Sequence, residues 1–243
     1  TVYSIGKDNT IFHSIIFPSM LIGGAEEDSA YNLPDHEFIH QYLLSDDVQF
    51  SKSRGTGLSS EEALDLLPAD YWRFYLASVI PENHDTRFSW ADFESRINGE
   101  LNDNVGNYVN RVLTLCEKWF DGAVPAPDDP EQFTDVRAEL EDLLQDYDAA
   151  FEQEKSPKKA VEHALEVARL GDRFLQQQEP WNDDSAREAV LYRCLEIVEA
   201  VAVTFHPFTP SASADIWRML GNDGAIASGE DRIAALLDGN TGI

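Results

Sequence analysis

Lysine, cysteine and long apolar runs are scarce in this chain of 243 residues, which contains six lysines and two cysteines. No run is apolar over the length that a membrane-spanning helix needs, so we expect no membrane partner. Cys116 and Cys194 each fall within a helical pattern, among apolar neighbours. Buried free thiols in a cytoplasmic protein are therefore a better interpretation than a disulfide or a metal site, and we assign no residue as a metal ligand.

Basic residues are also few, because 18 lysines and arginines stand against 45 acidic residues and give a net charge of −27. The acidic residues are spread along the chain, and aromatic residues make up 11% of it. Disorder is therefore a poor explanation, whereas adaptation to high salt explains the charge well. The same charge argues against a nucleic-acid ligand in dilute buffer. That objection weakens in molar salt, where the Debye length is about 3 Å.

The scarcity of lysine draws attention to a loop over residues 49–57. Lys7 and Lys52 are the only lysines before Lys118, and Lys52 lies among serines and glycines after a predicted strand. Small residues let a backbone approach a polyphosphate closely, and lysine supplies a mobile point charge. Composition alone favours an ordinary surface loop. The flanking elements strengthen the functional interpretation.

The first fifty residues predict a strand, a helix and a second strand. Residues 2–5 form the first strand, and Gly6 turns the chain into a helix that we expect Asp8 or Asn9 to cap. We expect Pro18 to kink or restart this helix. Residues 37–43 form the second strand, so the pair should be parallel. Ligands of such sheets bind beyond the carboxyl ends of the strands, where the Gly6 turn and the lysine loop fall.

The rest of the chain predicts helices. Ser59 and Glu62 have the spacing of a capping box at the start of a short helix. Further helical patterns cover residues 69–80, 89–120, 134–154, 156–178, 183–205, 210–220 and 231–237, with a polar connector at 81–88 and a linker at 121–132. Short joints between long helices indicate an antiparallel bundle.

The longest predicted helix has an apolar stripe and a separate polar face. The stripe is Phe93, Ile97, Leu101, Val105, Val109, Val112, Cys116 and Trp119, at three-to-four spacing. Asn104, Asn107 and Arg111 lie on a different face, and no acidic residue occurs from Asn104 to Cys116. A neutral packing patch and a face kept clear for a polyanion are both open. Trp181 follows Pro180 at a helix end, where polar neighbours favour partial exposure over the burial that tryptophan usually shows.

Ordered motifs over most of the chain resemble methionyl-tRNA synthetase, a class I aminoacyl-tRNA synthetase. They lie at residues 5–8, 12–14, 50–55, 70–76, 88–93, 96–98, 106–111, 119–122 and 179–181. The lysine loop is typical of class I, and the asparagine–arginine helix with the later Pro-Trp narrows the resemblance to the methionine enzyme. The chain begins inside a predicted strand. We therefore expect a carboxyl-terminal piece of a halophilic archaeal enzyme, inactive by itself.

The resemblance implies a fold and a division of the chain. The fold is α+β but mostly α: residues 1–88 complete a Rossmann-like parallel catalytic domain and carry the lysine loop, and residues 89–243 form an all-α anticodon-binding bundle. The implied reaction activates methionine with Mg-ATP and then transfers it to tRNA(Met). The expected partners are therefore methionine, ATP and tRNA, with Mg²⁺ and without DNA. The zinc-bearing insertion of the family would precede residue 1.

The resemblance also implies site residues. Lys52, with Ser51 and Ser53, belongs to the catalytic loop; Gly6, Asp8 and Lys52 contact ATP; His13 and Phe17 line the methionine pocket; and Asn107, Arg111 and Trp181 read the CAU anticodon. From the residues alone, a histidine beside an aromatic is more often a core residue than a ligand.

Three departures from the family stand out. Gln49 replaces the first lysine of the loop, which leaves one phosphate contact without its usual side chain. Phe17 stands where a larger aromatic is frequent, and no His-x-Gly-His motif is present. Two alternatives remain open: another class I synthetase, for leucine, isoleucine, valine or cysteine, and a tRNA-binding helical module without catalytic activity.

Overall fold

The computed structural model describes residues 2–25, 31–45, 48–49, 58–130, 132–226 and 229–237. The chain divides into two compact units. The first, here called the strand unit, comprises Thr1–Glu62 and Val79–Trp90. The second, the helical unit, comprises Ala63–Ser78 and Ala91–Ile243. Within the described part of the chain, no helix combines the length and apolarity needed to cross a membrane.

The strand unit contains two small sheets. Strands β1 (Val2–Gly6) and β2 (His36–His40) pair in parallel, with Gly6 opposite His40, so the predicted parallel pair is confirmed. Strands β3 (Leu43–Ser45), β4 (Val48–Gln49) and β5 (Thr86–Phe88) form the second sheet in the order β4-β3-β5. The single strand predicted at 37–43 is therefore two strands in different sheets. The predicted connector 81–88 was also wrong at its end, because β5 pairs in parallel with β3.

The helical segment after β1 begins at Lys7, two residues earlier than a cap at Asp8 implies and three earlier than a cap at Asn9 implies. A 3-10 turn at Lys7–Asn9 is followed by a π-helical segment at Phe12–Ile16 and by helix α1 (Phe17–Gly23). The N-cap is Gly6, in extended conformation with no side-chain cap, so the prediction of Asp8 or Asn9 was wrong. Pro18 falls in the first turn of α1, directly after the π-helical segment. The helical type thus changes beside this proline, while residues 10–23 remain one continuous helical run.

The helices after the lysine loop follow the predicted pattern. They are α2 (Ser60–Leu66), α3 (Ala69–Ser78), α4 (Trp90–Arg96), α5 (Asn107–Phe120), α6 (Thr134–Glu152), α7 (Pro157–Gln178), α8 (Arg187–Phe205), α9 (Pro210–Met219) and α10 (Gly229–Leu237). The capping box before α2 is confirmed, because the Ser59 backbone donates to Glu62 at 2.9 Å and Glu62 donates back to the serine oxygen at 3.2 Å. This bonding lowers the pKa of the Glu62 carboxyl.

A π-helical segment, Ile97–Gly106, joins α4 to α5, so the predicted long helix is continuous but locally wider. Six members of its apolar stripe are buried: Phe93, Ile97, Val105, Val109, Val112 and Cys116. The remaining two, Leu101 and Trp119, are half-buried. The stripe predicted from sequence is thus confirmed for most of its length.

The core of the helical unit lies between α7 and α8. Helix α8 is buried at nearly every position from Ala189 to Phe205, and α7 contributes ten buried residues. Helix α3 also packs in this unit, where Trp72, Phe74 and Tyr75 are buried. Its aromatic side chains therefore group residues 63–78 with the helices that follow, although the sequence places them before the boundary at 88/89. That boundary and the two domain roles stay predictions.

Candidate functional site

The polar face of α5 meets a polar face of α7 in the helical unit. The guanidinium of Arg111 donates from Nη1 to Oδ1 of Asp172 at 2.7 Å. Gln176, one turn further along α7, donates to the other carboxylate oxygen of Asp172. Both members of the ion pair remain about one-third exposed. Asp172 therefore restricts the position of Arg111 without removing it from solvent.

A close approach of α5 and α7 beneath this pair sets their spacing. Tyr108 is fully buried and donates its hydroxyl to the Cys194 carbonyl at 3.0 Å. Its ring lies against Gly171, where an added Cβ would come within 2.1 Å of Cζ. Only glycine fits this approach. Arg111 follows Tyr108 by one helical turn and Asp172 follows Gly171 directly, so the buried contact brings the two charges together.

Trp181 lies beside Arg111, as predicted. It is 41% exposed, and the guanidinium carbon of Arg111 is 5.7 Å from its ring centroid. The turn that carries it begins at Glu179, the left-handed C-cap of α7, whose N–H donates to the Leu175 carbonyl. Asn182 closes the turn through its backbone N–H to Glu179 at 2.8 Å. An exposed aromatic ring next to a fixed cation is a suitable platform for a flat, unpaired base.

An open cleft of about 470 Å³ adjoins this surface. Its lining combines amide and guanidinium groups with one carboxylate: Asn104, Arg169, Asp172, Arg173, Gln176 and Gln177. Asn107, at the start of α5, is exposed. The polar face predicted on the long helix is therefore present, and α7 extends it with residues that were not predicted from the sequence. Arg169, Asp172, Arg173 and Gln176 follow the i, i+3, i+4, i+7 spacing of one helix face, which was a readable signal.

In the strand unit, the turn after β1 places Gly6 and Asp8 together. A Cβ at Gly6 would lie 2.9 Å from the Oδ1 atom of Asp8, so a larger residue there would require the Asp8 carboxylate to move. Lys7 does not point freely from the turn. Its ammonium pairs with Asp85 at 2.7 Å and lies 4.3 Å from the centre of the Tyr42 ring. Asp85 was missed because its partners are 43 and 78 residues away.

His13 and Phe17 converge on one residue of β1. The Tyr3 ring lies 6.4 Å from each of their rings, edge-on to His13. His13 also lies within hydrogen-bond distance, 3.2 Å, of the Asn9 carbonyl through Nδ1. Both residues are outside a core, since Phe17 is 41% exposed and His13 is half-buried. Tyr3 thus joins the predicted pair, and the core interpretation of His13 was wrong.

The lysine loop, with Ser51, Lys52 and Ser53, lies outside the described residues. The backbone of Gln49 forms the end of β4. Both cysteines are buried and free, as predicted. Burial raises the pKa of the Cys116 thiol to about 11 and that of Cys194 further, so both remain protonated at neutral pH.

Comparisons with known proteins match both units of the chain. The family model described as "tRNA synthetases class I (M)" matches residues 1–113, and "Anticodon binding domain of methionyl tRNA ligase" matches residues 124–241. The chain belongs to the methionyl-tRNA synthetase family. It therefore combines a class I synthetase segment with a helical anticodon domain of that family.

Curated relatives carry the same family name. The chain is 41% identical to a methionine–tRNA ligase of Ignicoccus hospitalis and 37% identical to one of Korarchaeum cryptofilum. The alignments cover 93% and 96% of this chain, and 40% and 41% of the relatives. The chain thus spans about two fifths of the length of these methionyl-tRNA synthetases.

Solved structures of the family have the same fold. A Mycobacterium tuberculosis methionyl-tRNA synthetase in complex with methionyl-adenylate is 25% identical, with a TM-score of 0.81 over 97% of this chain and 46% of that one. Its apo form is 26% identical, with a TM-score of 0.75 over 91% of this chain and 44% of that one. The predicted α+β, mostly helical fold class is therefore confirmed.

Proposed function

We propose that this chain serves a methionine–tRNA ligase, reads the CAU anticodon of tRNA(Met) with its helical unit, and binds ATP and methionine with its strand unit. One observation carries the anticodon part. The exposed ring of Trp181 lies beside Arg111, which pairs with Asp172 at 2.7 Å, and no acidic residue occurs from Asn104 to Cys116. A stacking platform with fixed donors at its edge suits an unpaired RNA base.

The three proposed anticodon residues offer different chemistry. Trp181 stacks on a base, a contact worth roughly 1–3 kcal/mol. Arg111 has five N–H donors, so the bond to Asp172 leaves others for a base edge or a phosphate. The exposed amide of Asn107 both donates and accepts hydrogen bonds. Together they read an edge and a face of unpaired bases, which suits an anticodon loop better than duplex DNA.

The negative charge of the chain is partly compensated by arginines at this surface. Among the described residues, Asp172 is the only carboxylate that lines the cleft, and it is paired with Arg111. The carboxylates that pair with Arg169 and Arg173, Glu166 and Glu139, do not line the cleft. RNA phosphates therefore meet a polar and locally balanced face, although the net charge of the chain is −27.

The strand unit supports the first half of the proposed reaction. The methionine carboxylate attacks the α-phosphate of ATP and releases pyrophosphate; the tRNA terminal hydroxyl then attacks the carbonyl carbon and releases AMP. Gly6 and Asp8 contact ATP, and His13 and Phe17 contact methionine. Lys52, with Ser51 and Ser53, stabilises the charge that develops on the phosphates. Mg²⁺, when bound to ATP, neutralises part of that charge.

A binding experiment tests the anticodon assignment. The chain is titrated with a short RNA stem-loop that carries CAU, and with the same stem-loop carrying GUA, at one fixed salt concentration. We expect the CAU loop to bind at least about tenfold more tightly. A wrong loop leaves polar groups at the interface without hydrogen-bond partners, and the binding free energy lost is about that of one specific contact. Equal affinity for the two loops would contradict the proposal.

We also infer that the protein works in a cytoplasm of high salt. The excess of acidic over basic residues makes the folded state self-repelling at low ionic strength, and salt screens that repulsion. The helical circular dichroism signal should therefore melt at lower temperature as salt is removed, and recover when salt is restored. A melting temperature that stays constant from molar to millimolar salt would rule this adaptation out.

A further inference from the structure

The turn that carries Trp181 is held from below by Arg187, the first residue of α8. The Nε atom of Arg187 donates to the Pro180 carbonyl at 3.0 Å. The same guanidinium lies 4.1 Å from the centre of the Trp119 ring, near the end of α5. Arg187 therefore connects three elements: α8, the turn after α7, and α5.

The bond to Pro180 matters because that residue is buried. A buried carbonyl without a hydrogen bond is costly, so the Arg187 donor stabilises the turn in this conformation. The peptide whose carbonyl is held is the one that leads into Trp181. Fixing its plane restricts the direction in which the exposed indole leaves the backbone.

Helix α5 is thus connected to the turn at two points, once directly and once through Arg187. Arg111 lies 5.7 Å from the Trp181 ring, and Trp119, two helical turns later, reaches Pro180 through Arg187. We propose that Arg187 is a positioning residue for Trp181: it holds the indole in the orientation that receives a base, and does not touch the RNA itself. This inference rests on the proposed anticodon function of the helical unit.

The role needs the shape of arginine. A planar guanidinium stacks on an indole while its Nε donates in the guanidinium plane, whereas lysine is a point charge without that fork. Arg187→Lys should therefore retain the attraction to Trp119 and lose the directed bond to Pro180. Its effect should lie between those of the native residue and Arg187→Ala.

The experiment is a double-mutant cycle on the whole chain. Binding of the CAU stem-loop is measured for the native chain, Arg187→Ala, Trp181→Ala and the double variant, with Arg218→Ala as a control. Arg218 is an exposed arginine of α9 paired with Asp215. Arg187→Ala should weaken binding by about threefold to tenfold, the range of one lost hydrogen bond. In the Trp181→Ala background it should change affinity by less than about twofold, because the two residues act through one contact.

Fluorine NMR of fluorotryptophan-labelled chain gives a readout that does not depend on RNA. The Trp181 resonance, assigned by its loss in Trp181→Phe, should shift or broaden in Arg187→Ala and be unchanged in Arg218→Ala. If Arg187→Ala fails to fold, Arg187→Lys takes its place in both measurements.

The outcomes separate this inference from the proposed function. Equal losses from Arg187→Ala in both backgrounds would mean that Arg187 contacts RNA directly, and an unchanged Trp181 resonance would mean that it does not hold the indole. Either result overturns the inference. A native affinity in Trp181→Ala would instead refute the anticodon assignment, while the resonance would still show whether Arg187 positions Trp181.

Discussion

The two groups of proposed site residues are held in different ways. Arg111 and Trp181 are supported by three residues, here called the packed base. Tyr108 is fully buried, Asp172 pairs with Arg111, and Arg187 donates to the turn that carries Trp181. His13 and Phe17 stand on a helical segment without buried residues. Among the described residues of the strand unit, Ile5 and Val79 are the only buried hydrophobic side chains.

This difference separates a surface shaped by side-chain packing from one shaped by strand pairing and polar contacts. In the helical unit, contacts between residues far apart in sequence fix each functional side chain, so its geometry should be sensitive to changes in the core. In the strand unit, strand pairing and polar contacts place the residues around Gly6, while Ile11, Phe12 and Ile15 remain more than half exposed. Polar contacts such as Lys7–Asp85 therefore carry a larger share of its order.

The largest expected effect comes from filling the space at Gly171. Gly171→Ala would place a methyl 2.1 Å from a ring atom of Tyr108, whose hydroxyl is tied to Cys194. Overpacking of this kind typically costs about 1–3 kcal/mol, and we expect the upper end because a backbone and a bonded ring cannot both move away. The melting temperature should fall by roughly 10 °C, with CAU binding weakened. Thermal denaturation followed by circular dichroism measures the first effect.

Gly99→Ala is the matched control, because the added Cβ would meet no described atom within 4 Å outside the neighbouring helix backbone. It lies in the π-helical segment before α5, where alanine should be neutral or stabilise the helix by up to about 1 kcal/mol. If the Gly171→Ala variant has the same melting temperature as the Gly99→Ala variant, α5 and α7 can move apart to make room for the methyl group. The packed base would then not determine the geometry of the surface.

The individual residues of the surface around Arg111 and Trp181 show how far the sequence predicts it. Periodicity located the helices to within a few residues, and the face with Asn107 and Arg111 followed directly from it. Trp181 was placed beside that face through the family resemblance. Asp172, Gly171 and Arg187 were not identified, because each acts through a partner on another helix. Periodicity shows which face a residue occupies but not which helix comes to meet it.

The strand unit shows the opposite limit. The sequence predicts its parallel pair correctly, but it predicts a connector where β5 forms and a helix cap at Asp8 or Asn9 where the structure has Gly6. A three-residue strand such as β5 has too few positions for alternation to be visible, and its pairing with β3 lies 43 residues away. The order of this unit thus depends on contacts that no local pattern encodes.

An intermediate effect is expected when the stacking side chain, Trp181, is removed. Trp181→Ala should weaken CAU stem-loop binding about tenfold, because a stacked base is worth roughly 1–3 kcal/mol. The melting temperature should stay within a few degrees of the native value, since the ring is 41% exposed. Titration and thermal denaturation on the same preparation separate these two results.

Trp90→Ala is the control for Trp181, because Trp90 is 49% exposed and lies in the strand unit, in contact with Phe88. It should leave RNA affinity unchanged. If Trp181→Ala instead lowers the melting temperature strongly and binds RNA as well as the native chain does, Trp181 is part of the packed base. The distinction between an exposed stacking side chain and the packed residues that support it would then no longer hold.

The smallest expected effect concerns the polar brace of the strand unit. Hydrogen bonds from Lys7, and then from the Tyr42 backbone N–H, lower the pKa of the Asp85 carboxyl below its ordinary value of 3.8. A lowered pKa in the folded state contributes stability above the unfolded pKa, and this contribution is lost as the pH falls through the folded pKa. The amide resonance of Tyr42, which donates to Asp85 at 2.9 Å, should titrate below pH 3.8.

Lys7→Met tests whether the ammonium causes this shift. Without the Lys7 bond, the largest cause of the lowered pKa is gone, so the Tyr42 amide should titrate closer to 3.8. Lys118→Met, which removes an exposed lysine of the helical unit, should leave the titration unchanged. The helical unit responds at the opposite end of the pH scale, since burial raises the pKa of Tyr108 well above 10 and its ionisation opposes folding only in alkali. If Lys7→Met leaves the Tyr42 titration unmoved, the Lys7 ammonium is not the cause of the lowered pKa of Asp85.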